Sequence, residues 1–102
     1  MKRLPWSEIK RVREMLRKTN DNKCEICLRV FTIKDDIVLD HCHMTGRIRG
    51  GVHRSCNAAE GLVRKHAARA HKGVTATMFI ILLGRYLEKY GRNPRNIIHP
   101  NY

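Results

Sequence analysis

Two short pairs of soft donors constrain the fold of this chain more than any other feature. Cys24 and Cys27 enclose two residues, and His53 and Cys56 repeat that spacing further along. Two thiolates so spaced can reach one ion from a tight turn, and a second pair supplies the other half of a tetrahedral zinc site. Three cysteines and a histidine fill all four positions and leave none open for chemistry, so a structural zinc is expected. Cys42 lies outside both pairs and reads as a spare thiol. A chain of 102 residues buries only a modest core, which a metal cross-link would supplement. The start of the chain, Met1 to Trp6, lacks the apolar stretch of an export signal, so the cysteines read as metal ligands in an intracellular protein rather than as disulfides. No βαβ pattern surrounds Cys24 and Cys27, which disfavours thioredoxin-like redox chemistry.

Around these pairs the periodicity is mainly helical. The spacing of Ile9, Val12, Met15 and Leu16 predicts a helix over residues 7–19, with Ser7 as its N-cap. Lys10, Arg11, Arg13, Arg17 and Lys18 form a basic face, suited equally to phosphates or to solvent. Asn20-Asp21-Asn22 ends the helix. Residues 37–53 read as a β-hairpin turning at Met44-Thr45-Gly46, which would leave Asp40 and His41 exposed at a strand end. A helix over residues 54–71 carries Cys56, Asn57 and Glu60, and Gly73 breaks it. A strongly apolar helix from Thr75 to Tyr90 follows, and the tail with Pro94 and Pro100 is irregular. Its longest apolar run, Met78 to Leu83, is far too short to span a bilayer.

The chemistry sits between the two pairs. Lys and Arg outnumber Asp and Glu by 21 to 9, for a net charge of +12, which favours nucleic acid over membrane as the partner. Arg47, Arg49, Arg54, Arg64 and Lys65 are the candidate DNA contacts, and His66, Arg69 and Lys72 extend that basic surface. Hydrolysis of a phosphodiester needs a deprotonated water and positive charge on the leaving oxygen. A neutral His41 imidazole can take the proton. Asp40 and Asn57 offer hard oxygen ligands of the kind that, with waters, hold Mg²⁺.

These residues also carry a resemblance. Asp40-His41-Cys42-His43, Thr45-Gly46, Arg49-Gly50 and Cys56-Asn57-Ala58-Ala59-Glu60-Gly61 are similar to the phage recombination endonuclease VII family, one of the His-Me finger (ββα-metal) nucleases. With Cys24-x2-Cys27 and the tail Asn96 to Asn101, the likeness runs from about residue 20 to the C-terminus. It implies an α+β, mainly helical fold: a zinc-stabilised ββα-metal core with an N-terminal helix and a C-terminal dimerisation helix. It further implies Mg²⁺, replaceable by Mn²⁺, on Asp40 and Asn57, water activation by His41, and active-site positions at His43 and Glu60. Family members cleave four-way junctions and other branched DNA as interwoven dimers, which would place this protein in the cytoplasm of a phage host.

Two departures stand out. His53 takes a position where the family usually has Cys, and the chain stops near residue 102 where junction-resolving members continue. The expected organisation is one domain: an N-terminal helix to residue 22, the metal core over 23–72, and the apolar helix and tail over 73–102. The expected activity is Mg²⁺-dependent cleavage of branched DNA by a homodimer, since the apolar helix carries a stripe too wide for so small a core. The alternatives are a nicking or homing-type HNH endonuclease without junction specificity, and a noncatalytic zinc DNA-binding module. The module has no need of Asp40, His41 and Asn57 together.

Overall fold

The computed structural model describes residues 3–32, 37–70 and 73–102; His71 and Lys72 lie outside them. Among the described residues, three α-helices and one two-stranded antiparallel sheet make a small α+β protein: α1 (Ile9–Thr19), β1 (Ile37–His41), β2 (Ile48–His53), α2 (Arg54–Ala70) and α3 (Ala76–Tyr90). The chain divides into two compact units, Met1–Glu60 and Gly61–Tyr102.

In the first unit, the start of α1 differs from the sequence expectation. Ser7 caps nothing: it lies inside a 3-10 turn, Trp6–Glu8, and Glu8 occupies the cap position without a side-chain bond. Pro5 precedes this turn in extended backbone, and the Glu8 N–H closes the turn by donating to the Pro5 carbonyl at 2.9 Å. The predicted end holds. Asp21 and Asn22 take positive φ values of 54° and 58°, a conformation that short polar side chains tolerate. The Asn22 N–H then donates to Arg17 O at 2.7 Å.

The hairpin pairs Ile37 with His53 and Asp40 with Gly50, but His41 faces Ile48. Arg49 is therefore an extra residue in β2, a bulge of the kind that re-aims a side chain. At the turn, Gly46 takes φ +78° and its N–H donates to Cys42 O at 2.7 Å. Gly51 permits a close approach. A Cβ there would lie 2.8 Å from the Ile37 side chain and 3.4 Å from Leu16 Cβ of α1. The small core consists of Cys24, Phe31, Ile37 and Val52, with Cys27, Val38 and Cys56 packed against it. Two of the four cysteines are thus core residues' neighbours, so burial and metal donors share one place.

The second unit contains the rest of α2 and α3. Thr75 caps α3, its hydroxyl accepting from the Met78 N–H at 3.1 Å. Gly73, at φ +101°, lies between the two helices in sequence. Ala67 is the buried residue of α2. A groove of about 520 Å³ is lined by Leu62, Val63, His66, Ala67 and Ala70 of α2 and by Phe79, Ile80 and Leu83 of α3. Met78, Ile81, Leu82, Tyr86 and Leu87 are exposed, as the width of the apolar stripe implied.

Candidate metal centre and active site

The loop carrying the first pair is held to the second by backbone geometry. Leu28 adopts φ +64°, and its N–H donates to Cys24 O at 2.9 Å, curling Cys24 and Cys27 toward one point. This loop docks on the outer edge of β2. The Glu25 N–H donates to Gly51 O at 3.2 Å, the Gly51 N–H donates to Glu25 Oε2 at 2.7 Å, and the His53 N–H points at Cys24 Sγ at 3.3 Å. β2 then passes directly into α2, so His53 and Cys56 face the loop from a strand end and a first helical turn.

The four donor atoms of Cys24, Cys27, His53 and Cys56 all lie within 4.8 Å of one another. His53 Nδ1 is 3.3 Å from Cys27 Sγ and 4.0 Å from Cys56 Sγ. A tetrahedral zinc with its usual bond lengths spaces its ligands by ~3.5 Å, so this donor set fits. His53 is 7 % exposed, and its ring lies 4.7 Å from that of Phe31. Cys42 is not in the cluster; the Thr45 side chain, hydrogen-bonded to its thiol, lowers the thiol's pKa.

The local field prepares part of this site for metal. The backbone N–H of Arg29, more than any other group, brings the Cys27 thiol down to about 6. At Cys24 burial acts upward, but hydrogen bonds from the Cys27, His53 and Ile26 backbone outweigh it and the thiol shifts downward. Cys56 goes the other way: burial, then the neighbouring Cys27 and Cys24, push it up to about 11. Burial would lower His53, but its contacts with Cys24 and Cys27 prevail and raise it.

The strand end departs from the sequence expectation. Asp40 is not exposed: it is only 7 % accessible, while its neighbour His41 is exposed. Burial along β1 does not follow a two-residue period; the contact with Arg49 is what encloses Asp40. Arg49, aimed by the bulge, grips the Asp40 carboxylate with both arms, Nε to Oδ2 at 2.8 Å and Nη2 to Oδ1 at 2.9 Å. The same Nη2 lies 3.2 Å from Glu60 Oε1 on α2. These contacts, those with Asp40 first, raise the guanidinium pKa above its ordinary value.

Arg49 thus faces two acids, not the open phosphate path expected of it. Sequence reasoning missed this link, although an Asp and an Arg near one another across a hairpin are a readable signal. His41 and His43 are both exposed with ring centroids 5.3 Å apart, and Asn57 is half-buried in the first turn of α2. Of the other basic candidates, Arg47, Arg54 and Lys65 are exposed and Arg64 is half-buried. Arg47 and Arg3 line a cleft of about 750 Å³ beside the hairpin turn. A carboxylate offers about four lone-pair sites, so the Arg49 fork leaves room on Asp40 for a hard cation. Its oxygens are the type of hard donor that Mg²⁺ takes.

Residues 2–77 match the recombination endonuclease VII family. The chain belongs to that family. No curated protein sequence matches it. The endonuclease VII match begins before α1 and ends in the first turn of α3, so it starts earlier than the likeness read from the motifs, and Asn96 to Asn101 lie outside it. Endonuclease VII proteins are nucleases, so membership implies an enzyme acting on DNA. Among the described residues, no helix is long and apolar enough to cross a membrane.

Proposed function

We propose that this protein is a Mg²⁺-dependent endonuclease of the His-Me finger type, hydrolysing phosphodiester bonds in branched DNA. Structural zinc on Cys24, Cys27, His53 and Cys56 would hold its active centre together. The observation that carries the reading is the joining of two sites through one stretch of backbone. β2 and the first turns of α2 supply two of the cluster donors, pair with Asp40, and also bear Asn57 and Glu60. A cross-link at that junction would keep the hairpin and the helix in register. Asp40 and Asn57 would hold the Mg²⁺, which supplies positive charge at the leaving oxygen. His41, exposed and next to Asp40 in the chain, would take a proton from the attacking water. His43 and Glu60 flank this centre. Arg47, Arg54, Arg64 and Lys65 would carry the phosphate backbone in a cell interior that keeps thiols reduced.

The apolar face of the second unit points to a second copy of the chain as its cover. A stripe with Met78, Ile81, Leu82 and Leu87 exposed beside the groove is what an obligate homodimer buries. Two linked sites would place the second nick within the same complex.

The deciding experiment incubates zinc-loaded protein with four-way junction, nicked, linear and supercoiled DNA, with and without added Mg²⁺. Mg²⁺-dependent cutting that favours the junction is expected. Equal nicking of all substrates would replace junction cleavage by the nicking-enzyme reading, and absence of cutting with intact DNA binding would leave a zinc-dependent binding module.

A further inference from the structure

The contacts of Arg49 extend the metal-nuclease reading, on which this inference rests. We propose that Arg49 is a positioning residue that acts as an internal counter-cation: it occupies the Asp40–Glu60 acid pair, weakens divalent-metal binding there, and yields the pair when a DNA phosphate takes its guanidinium.

Three observations carry this. First, the fork closes on both Asp40 oxygens, at 2.8 and 2.9 Å, and reaches Glu60 at 3.2 Å, so one cation serves two carboxylates. Charge-assisted bidentate bonds of this kind are among the stronger polar contacts available to a side chain. A divalent ion approaching Asp40 therefore meets a fixed positive charge already in place. Second, the Arg49 side chain remains 40 % accessible while that of Asp40 is only 10 % accessible. Glu60 is 24 % accessible, so the arginine is the most accessible of the trio and its only cation. Third, Arg49 is the bulged residue between the Asp40–Gly50 and His41–Ile48 pairs. An unpaired bulge residue can move its side chain without breaking a ladder hydrogen bond. Charge, access and backbone freedom all favour exchange of the arginine between acid and phosphate.

The consequence separates metal affinity from cleavage. Taking Arg49 away removes the positive charge that holds both Asp40 oxygens, so a divalent ion should bind there more tightly. Coulomb attraction at these distances makes a change of roughly tenfold or more reasonable even with strong solvent screening. Cleavage should nevertheless fall, because the phosphate loses the guanidinium that would receive it. An ordinary structural ion pair gives the opposite result, since its loss disorders Asp40 and weakens the metal.

The test uses zinc-loaded full-length protein and follows Mn²⁺ binding through the resonance signal of the free ion, beside cleavage at saturating Mn²⁺. Arg49→Met should bind Mn²⁺ at least about tenfold more tightly than the native protein and cut roughly tenfold or more slowly. Mn²⁺ binding that is unchanged or weaker overturns the proposal. If Arg49→Met does not fold, Arg49→Lys answers the same question. A point charge without the fork loosens its grip on both acids, so Mn²⁺ should bind several-fold more tightly, and unchanged or weaker binding again overturns the role. The two levels of failure are distinct. Native protein with neither a Mn²⁺ site nor metal-dependent cutting removes the nuclease reading itself, whereas native protein that cuts, with no tightening in the variants, removes the arginine's role alone.

Discussion

His41 and Asp40 are adjacent in the chain but stand in different surroundings, one exposed and one nearly enclosed. That division suits an exposed base for water beside a fixed ligand for metal. Replacing His41 by Ala should lower cleavage by about 10²–10⁴-fold, the usual contribution of a positioned general base. DNA affinity, set by Lys and Arg on phosphates, should hardly change in fluorescence anisotropy. Near-native turnover at neutral pH would remove His41 from the mechanism. Among the cluster donors, Cys56 is the least prepared for metal, its thiol being pushed up to about 11. Below that value the thiol stays protonated in the metal-free protein, while a zinc ligand must be thiolate. Zinc uptake at neutral pH should therefore release protons and strengthen as pH rises. Calorimetry in buffers of different ionisation enthalpy reads this directly; a heat independent of buffer would exclude Cys56 as a ligand. Cys42→Ser should keep its zinc, since Cys42 lies apart from the cluster.

At the level of elements, the loop bearing Cys24 and Cys27 acts as an added edge to β2, held through Glu25. Gly50 makes that possible. A Cβ at this position would lie 2.5 Å from Glu25 Oε2, the atom that accepts the Gly51 N–H. Gly50→Ala should displace the carboxylate and leave the buried Gly51 donor without its partner, at a cost of about 1–3 kcal/mol. Thermal melting of the zinc-loaded protein measures the loss. An unchanged midpoint would mean that Glu25 finds another route to the same bond. The adjoining Gly51 has a different task, admitting Ile37 and Leu16 where a side chain would keep α1 off the hairpin.

For the molecule as a whole, the uncovered apolar surface of α3 is the feature that bears on assembly. Size-exclusion with light scattering should give a dimer. A charge at Ile80 or Leu83 should dissociate it or prevent folding, because both line the apolar groove and a buried unpaired charge is costly. A monomer at tens of micromolar that still nicks DNA would refute assembly through α3 and favour independent nicking. The net charge of +12 bears on a different property. It predicts affinity that falls steeply with salt for any DNA shape, so substrate preference has to be measured at several ionic strengths.

The donors of the metal cluster were legible in the residue order because ligand chemistry and x2 spacing are local properties. The polar turn after α1, the start of α2 and the ends of α3 were readable for the same reason. Each depends on residues within a few positions of one another. The capping role given to Ser7 failed at an equally local level, where Trp6 to Glu8 form a 3-10 turn ahead of α1. What the residue order left undecided was how strands fit together. Asp40 is enclosed, and Arg49 turns from phosphate to acid, where the pairing shifts between Asp40 and His41. A one-residue change of register redirects side chains, and it is chosen by the competing demands of the whole packed unit. Spacing along the chain brought Asp40, Arg49 and Glu60 under suspicion one by one; tertiary structure made them a single charged trio, because the hairpin and α2 must first come together before one guanidinium can reach both acids.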